Sequence, residues 1–495
     1  MSCSSLLIDG VWLEGNGACF SSFDPSTQRR LWEGRAADAS QLKAAMQAAH
    51  LAQKSWALCS WEERSQTLLA CSKCMKARSE EIAEAISSET GKPLWEAKTE
   101  VNSAIAKFAI TIEAYRERCK ESWHPVEGGY HRIRHQPLGV VAVLGPFNLP
   151  LHLPQGHIVP ALLSGNAVLF KPSEKTAAIG QLIAQLWQEA GLPSGLLNLL
   201  QGGGELGSAI ASQSDLQGLF FTGSYRVGSL LQQQSLPYPG RLLALEMGGN
   251  NPLVVWHLRN RRAAIAHIIL SAFLTSGQRC SCARRLILPD DQFGTLLLEE
   301  LIAATKKLKV GSWRHQPEPF MGPLIDTEAA HLLFLGYQTL IEKGGKELLG
   351  LKRVKGLASG VSPGLVEMTG LQSRDEELFG PLLQVIRVRS FAEAIERANE
   401  TSYGLAAGLL CEEELLWKQF SQQIRAGVVN WNASLTGASS RAPFGGVGRS
   451  GNFRPSGYYA IDYCSYPVAS IEGEEIALPP LPAALRDSLT GIQDG

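Results

Sequence analysis

The chain has 495 residues, 46 of them basic and 47 acidic, for a formal net charge of −1; it is 45% hydrophobic and 19% charged. That length exceeds one ordinary core and predicts two large domains with a small third element. The charge balance excludes the electrostatic footprint of a nucleic-acid binder or of a protein held on an acidic membrane surface.

From the amino end, residues 1–10 lack the basic-then-apolar order of a secretory leader. Residues 7–12 and 23–27 read as short strands and turns. Residues 38–58 have helical periodicity and begin at Asp38, whose side chain suits an N-cap. Helical patterning continues over 61–91, with Glu62, Glu63, Glu80 and Glu81 on a solvated face, and over 93–117. Cys71 and Cys74 form a lone C-x-x-C here. Zinc would need a second pair or histidines at ligand spacing, so both are assigned to a helix and no metal site is expected. The ten cysteines as a whole have no framework spacing. They read as reduced thiols in a reducing compartment, and a cytoplasmic protein is expected.

Residues 128–136 are short and polar and predict a hairpin arm, with His131 and His135 on its surface. From Gly139 apolar runs alternate with helical patterns. Strands are predicted over 140–144, 167–170, 196–200, 219–221 and 242–245, with the clearest helix over 177–190. The alternation indicates a doubly wound, mostly parallel sheet, which binds ligands at the carboxyl ends of its strands. After Pro252 it restarts, with helices over 263–274 and 292–308 and strands over 285–288, 365–368, 384–388 and 427–431. The run 263–274 is the most apolar of the chain, yet it carries His267 and is too short to span a bilayer. Beyond Pro443 the chain turns glycine-rich and irregular. Residues 476–495, with Pro479, Pro480 and Pro482, predict a tail or packing arm.

The chemistry concentrates around Gly277-Gln278-Arg279-Cys280-Ser281-Cys282. A cation beside a thiol favours the thiolate, which makes Cys280 a candidate covalent nucleophile; the alternative is a buried, inert cysteine. Glu246 closes a predicted strand ahead of Gly248-Gly249. It is either a general base with a pKa raised by burial or a capping or salt-bridging glutamate. Asn148, in Gly145-Pro146-Phe147-Asn148-Leu149-Pro150, offers an amide to a developing oxyanion, or is simply a turn asparagine. Phe221-Thr222-Gly223-Ser224-Tyr225-Arg226-Val227-Gly228 ends a strand and opens a helix, whose first N–H groups suit a pyrophosphate. Lys171-Pro172-Ser173-Glu174 ends another strand with an ammonium and a carboxylate suited to ribose hydroxyls. Each of these two also reads as an ordinary strand-to-helix turn. Gly202-Gly203-Gly204-Glu205-Leu206-Gly207 has the formal dinucleotide spacing, but Asp215 comes too early to be its acidic partner, leaving a tight turn as the other reading.

With Glu376-Glu377-Leu378-Phe379-Gly380-Pro381, Asn430-Trp431-Asn432 and Pro443-Phe444-Gly445-Gly446, these motifs in this order resemble the aldehyde dehydrogenase superfamily over nearly the whole chain. The stretches Gly156-His157-Ile158-Val159-Pro160, Asn250-Asn251-Pro252 and Gly451-Asn452-Phe453-Arg454-Pro455-Ser456 most resemble the branch that oxidises N-succinylglutamate 5-semialdehyde in arginine catabolism. Phe147 and Leu149 depart from the superfamily's usual tryptophan and phenylalanine, and Phe453 from the branch's histidine.

The resemblance implies an α/β fold of two doubly wound domains: an NAD-binding domain over 1–114 and 138–247 and a catalytic domain over 248–442. An arm and C-terminal segment over 115–137 and 443–495 would join subunits into a homodimer or a dimer of dimers. It implies oxidation of a small-molecule aldehyde with NAD, with no nucleic acid or membrane as partner. Cys280 would form the thiohemiacetal and thioester, Asn148 and the Cys280 N–H would hold the oxyanion, and Glu246 would activate water. The cofactor residues would be Lys171, Glu174, Gly204, Gly223, Ser224, Tyr225, Arg226, Val227, Gly228, Gly248, Glu377 and Phe379. Arg279 would either take a substrate carboxylate bidentately or pack against the protein and tune the thiolate. Another anionic semialdehyde as substrate, and a non-catalytic binding protein on the same scaffold, are the alternatives.

Overall fold

The structure is a computed structural model and describes residues 5–126, 129–371, 374–476 and 481–491. Two seven-stranded sheets carry the fold. From edge to edge the first runs Leu242–Met247, Gly218–Gly223, Val140–Leu144, Ala167–Lys171, Leu197–Leu199, Leu6–Ile8 and Val11–Leu13. Its first five strands are parallel and the last two form an antiparallel edge hairpin. Val140–Leu144 and Ala167–Lys171 are buried at every residue. Apart from Lys171 they read as unbroken apolar runs because a parallel sheet is covered on both faces. Leu42 and Ala45 from helix Ala39–Leu58, Ile158 from His152–Leu163 and Ile183 from Ala177–Glu189 close the same core. The first of these helices starts where the sequence places it: Asp38 accepts from the Gln41 N–H, and the Gln41 side chain reaches back to the Asp38 N–H.

Strand order reverses at Val140–Leu144. Its neighbour on one side, Ala167–Lys171, is the next strand in the chain, whereas Gly218–Gly223 on the other side comes three strands later. Connections leaving such a pair depart to opposite faces and open a crevice at the carboxyl ends.

The second sheet runs Lys346–Leu349, Gly364–Glu367, Leu382–Val388, Ala283–Pro289, Asn251–Val255, Ala406–Leu410 and Val428–Trp431, parallel except at its first pair. Asn251–Val255 and Ala406–Leu410 have no counterpart among the predicted strands. Both are only five residues long and wholly buried, and Pro252 and Gly408 weaken their strand character. The register shifts between Asn251 and Pro252, where the proline has no N–H for the ladder. Between the sheets the chain needs only Gly248, Gly249 and Asn250. The carboxyl end of Leu242–Met247 therefore leads directly into the amino end of Asn251–Val255.

A third, antiparallel sheet joins Ser122–Val126, Gly129–Pro137 and Ser465–Glu472. The predicted hairpin arm is present, with Gly128 outside the described residues. Its third strand corrects the expectation of an irregular chain beyond Pro443: Ser465–Glu472 pairs with the arm along its whole length. Most of its side chains are exposed, so it carries no core-facing apolar period to read. Helix Leu94–Arg118 also runs on past 115, where the arm was expected to start. In the tail a short helix spans Ala483–Ser488, with Pro479 and Pro480 outside the described residues. Among the described residues no helix is long and apolar enough to cross a membrane.

Candidate active site

Cys280 lies between helix Arg261–Phe273 and the buried strand Ala283–Pro289. The turn ahead of it holds Thr275, Ser276 and Gly277 at φ 55°, 53° and 72°. Left-handed backbone costs a β-branched threonine most and a glycine least. Glycine is also required by space at 277, where a Cβ would sit 2.1 Å from the Gly380 carbonyl oxygen. Such strain persists only where the surroundings over-determine it, and here they do. The Thr275 hydroxyl donates to the Glu96 carboxylate, and Ser276 Oγ donates to the Gly322 carbonyl at 2.7 Å. Arg284 donates to the Gly277 carbonyl at 2.6 Å and to the Arg279 carbonyl at 2.9 Å. Asn251 Nδ2 donates to the carbonyls of Cys280 at 2.6 Å and Cys282 at 2.8 Å.

The expectation that Arg279 favours the Cys280 thiolate is corrected by this geometry. Its guanidinium turns to helix Leu94–Arg118 instead, donating to Thr275 Oγ1 at 2.7 Å and to Glu96 at 2.8 Å. Glu96 is 1% exposed, and a carboxylate buried that deeply demands a cation. Arg284 is the cation that acts on the thiol, and it is outweighed. Burial first, then the charges of Glu246 and Glu377 and the neighbouring Cys282, push the Cys280 thiol above its ordinary pKa, while Arg284 pulls it down.

Two cavities meet at Cys280, one of about 410 Å³ and one of about 300 Å³. Cys282 is fully buried and borders neither, its sulfur turned to the Leu274 carbonyl. The larger cavity lies at the carboxyl ends of the first sheet, on the crevice where strand order reverses. Asn148 and Glu246 border it with Cys280.

One amide hydrogen of Asn148 is engaged by the Gln278 carbonyl at 2.8 Å, and its backbone carbonyl accepts from Lys92 Nζ at 2.7 Å. The amide has a second hydrogen to give. The Cys280 N–H meets no acceptor among the described residues. Glu246 is 3% exposed and neither of its oxygens has a hydrogen-bond partner among the described residues. Burial raises its pKa to about 7, opposed by the nearby Ser456 hydroxyl and Lys107 ammonium.

Of the expected cofactor residues, Glu174, Gly223, Ser224, Val227, Gly248, Glu377 and Phe379 border this cavity together; Lys171, Gly204, Tyr225, Arg226 and Gly228 do not. Lys171 lies behind the wall, donating to the Pro172 carbonyl at 2.9 Å and 3.6 Å from the Glu174 carboxylate. Gly204 opens the eight-residue helix Gly204–Ala211 and is exposed. Ser224 Oγ caps helix Tyr225–Ser235 by accepting from the Val227 N–H, while Tyr225 and Arg226 are exposed. Gly228 makes room for Met247, whose sulfur lies 2.4 Å from where a Cβ would be, and Gly248 does the same for Glu377 at 1.7 Å.

Arg284, Asn251, Lys92 and Glu96 went unrecognised in the sequence. One signal was available for the helix: Glu96, Glu100 and Lys107 fall on the same helical stripe as the buried Ala97, Ala104 and Phe108. Charges on a buried stripe ask for partners or a ligand.

The profile of the Aldehyde dehydrogenase family matches residues 12–468. The chain is 51% identical over 477 residues to the N-succinylglutamate 5-semialdehyde dehydrogenase of Pseudomonas fluorescens (strain Pf0-1), covering 96% of this chain and 98% of that one. It is 50% identical, with the same coverage, to the protein of that name from Ectopseudomonas mendocina (strain ymp). Among solved structures, PnpE from Pseudomonas sp. WBC-3 aligns with a TM-score of 0.90 at 32% identity, over 97% of this chain and 99% of that one. PnpE in complex with nicotinamide adenine dinucleotide aligns with a TM-score of 0.91 at 31% identity, over 96% and 99%. Matched along most of its length by the family profile and half identical to named members, the chain belongs to the aldehyde dehydrogenase family.

Proposed function

We propose that the chain oxidises N-succinyl-L-glutamate 5-semialdehyde to N-succinyl-L-glutamate with NAD, in arginine catabolism. The observation that carries the chemistry is a single thiol at the junction of two cavities, with an amide donor and an unpaired buried carboxylate bordering the same space. The substrate assignment rests on the half-identical relatives.

The larger cavity fits NAD. It lies at a switch point of a doubly wound sheet and borders the N-terminus of helix Tyr225–Ser235, whose first N–H groups suit a pyrophosphate. The Glu174 carboxylate borders the same cavity and would accept from ribose hydroxyls and repel a 2′-phosphate. When bound, NAD supplies the acceptor for the hydride that leaves the aldehyde carbon. The chain's own residues do the rest. Cys280 attacks as its thiolate, its proton having left to solvent through the cavity. Sulfur adds to the carbonyl carbon, and the second Asn148 amide hydrogen and the Cys280 N–H hold the oxygen as it becomes anionic. Once the carbon is at the acyl level, Glu246 takes a proton from water. The hydroxide attacks the thioester, and the acid departs with the thiol restored.

The same reading assigns 1–114 and 138–247 to NAD binding, 248–442 to catalysis, and 115–137 with 443–495 to subunit joining. The exposed Trp123, Tyr130, Ile133, Tyr466 and Val468 on the third sheet support a homodimeric contact there. Nine cysteines are described and all are free, in keeping with the cytoplasm. The test is NADH formation from N-succinylglutamate semialdehyde against unsuccinylated glutamate semialdehyde. A strong preference for the first is expected. Equal efficiency on both would overturn the substrate, and no NADH from any aldehyde would overturn the oxidation.

A further inference from the structure

We propose that Lys107 determines specificity in the smaller cavity: its ammonium takes a carboxylate of the aldehyde whose carbonyl is presented to Cys280. The inference rests on the reading of Cys280 as the aldehyde-oxidising thiol and names the group that recognises the substrate's charge.

Three ionic side chains, Glu100, Arg279 and Lys107, border the smaller cavity, and among the described residues the first two are neutralised by ion pairs. Lys92 pairs with Glu100 at 2.6 Å, both nearly inaccessible. The other oxygen of Glu100 accepts from the Leu151 and His152 N–H groups. Arg279 is engaged by Glu96 at 2.8 Å. Lys107 is different. It is 7% exposed and borders the cavity with Cys280, yet among the described residues it has neither an ion-pair nor a hydrogen-bond partner.

Its position is built rather than incidental. The ammonium packs over Gly156, 3.1 Å from where a Cβ would stand. The charge persists at neutral pH: burial lowers the pKa of Lys107 only to about 8. The surrounding potential is positive as well. Lys107, Arg279 and Lys92 together add to the burial that holds the His152 imidazole, on the same cavity wall, well below its usual pKa.

A buried ammonium without a partner is costly, and here the missing partner has a place to sit. Glu246 is the carboxylate that acts most on Lys107, but it is not bonded to it. An anion entering the smaller cavity meets one uncompensated cation, with the hydroxyls of Ser103 and Thr99 beside it on the same helix and cavity wall. Such a site selects an aldehyde that carries a carboxylate remote from its carbonyl over a neutral aldehyde of equal length.

The test compares wild type with Lys107→Met, which keeps the length and removes the charge, and with Lys107→Gln, which keeps a donor without charge. Substrates are N-succinylglutamate semialdehyde, succinate semialdehyde and neutral hexanal. The expected result is a fall of roughly 10- to 150-fold in the ratio of kcat/KM for the anionic aldehydes to that for hexanal, the scale of a lost charged hydrogen bond, expressed in KM. An unchanged ratio in folded variants would overturn the proposal. So would equal losses on all three with the acid limb of kcat moved upward, because Lys107 would then serve Glu246. If wild type oxidises succinate semialdehyde and hexanal but not the succinylated compound, the proposed substrate fails while the ratio still judges Lys107. A readout without turnover completes the test. N-succinylglutamate is expected to raise the Tm of wild type and not that of Lys107→Met, and equal rises in both would also overturn the proposal.

Discussion

Glu246→Gln, read as a function of pH, tests the assignment of the base. The carboxyl is 3% exposed and its pKa stands at about 7 against an ordinary 4.5. Burial thus disfavours the ionised form by about 3 kcal/mol. The base acts ionised, so the raised value means that activity is lost as pH falls through 7. About one-tenth of Glu246 is ionised at pH 6 and about nine-tenths at pH 8, so hydrolysis should quicken roughly ninefold between them. A carboxylate at its ordinary value would be almost fully ionised over the whole interval and would leave the rate flat. Stopped-flow NADH formation separates the steps, because the burst reports acylation of Cys280 and the steady phase reports hydrolysis. The glutamine variant should give a burst followed by turnover slower by about 10²–10⁴, with the limb near pH 7 gone. A flat steady rate from pH 6 to 8 in a wild type that shows a burst would refute the reasoning, as would the same limb in the glutamine variant.

Cys280→Ala should abolish NADH formation, whereas Cys282→Ala, at a site bordering neither cavity, should keep most of it; comparable losses would reassign the nucleophile. Asn148→Ala should lower kcat by roughly 10²–10³, the scale of one oxyanion donor, and a loss confined to weaker NAD binding would remove Asn148 from that role. Arg279→Ala leaves the buried Glu96 carboxylate without its cation. It should cost about 3–5 kcal/mol of stability, seen as a lower Tm, and should slow anionic and neutral aldehydes alike. A KM effect restricted to anionic aldehydes would make Arg279 a substrate ligand after all.

The sequence displayed the first sheet clearly because its strands are apolar on both faces and are separated by punctuated helices. It hid Asn251–Val255 and Ala406–Leu410, where a proline and a glycine interrupt short runs that packing alone makes into strands. It hid Ser465–Glu472 because an exposed strand has no buried period. At the site, Cys280, Glu246 and Asn148 were legible as motifs and come to border one cavity. The charges around them were not legible. Adjacency along the chain suggested that Arg279 sits over the thiol, but neighbouring residues in an irregular turn diverge, and Glu96, far away in sequence, takes the guanidinium. Lys107 and Glu246 gain their significance from having no bonded partners among the described residues, a property of the folded interior that no local spacing encodes.

The left-handed turn at 275–277 owes its shape to distant parts of the chain: Glu96 on one helix, the Gly322 carbonyl on a loop, and Arg284 within a strand of the second sheet. The segment that carries the thiol cannot arm itself. In a half-made or partly opened molecule Cys280 is an ordinary cysteine in a relaxed loop, and it is set against the two cavities only when all three supports have docked. Loosening any one support would let the turn relax and would carry Cys280 away from the junction of the two cavities.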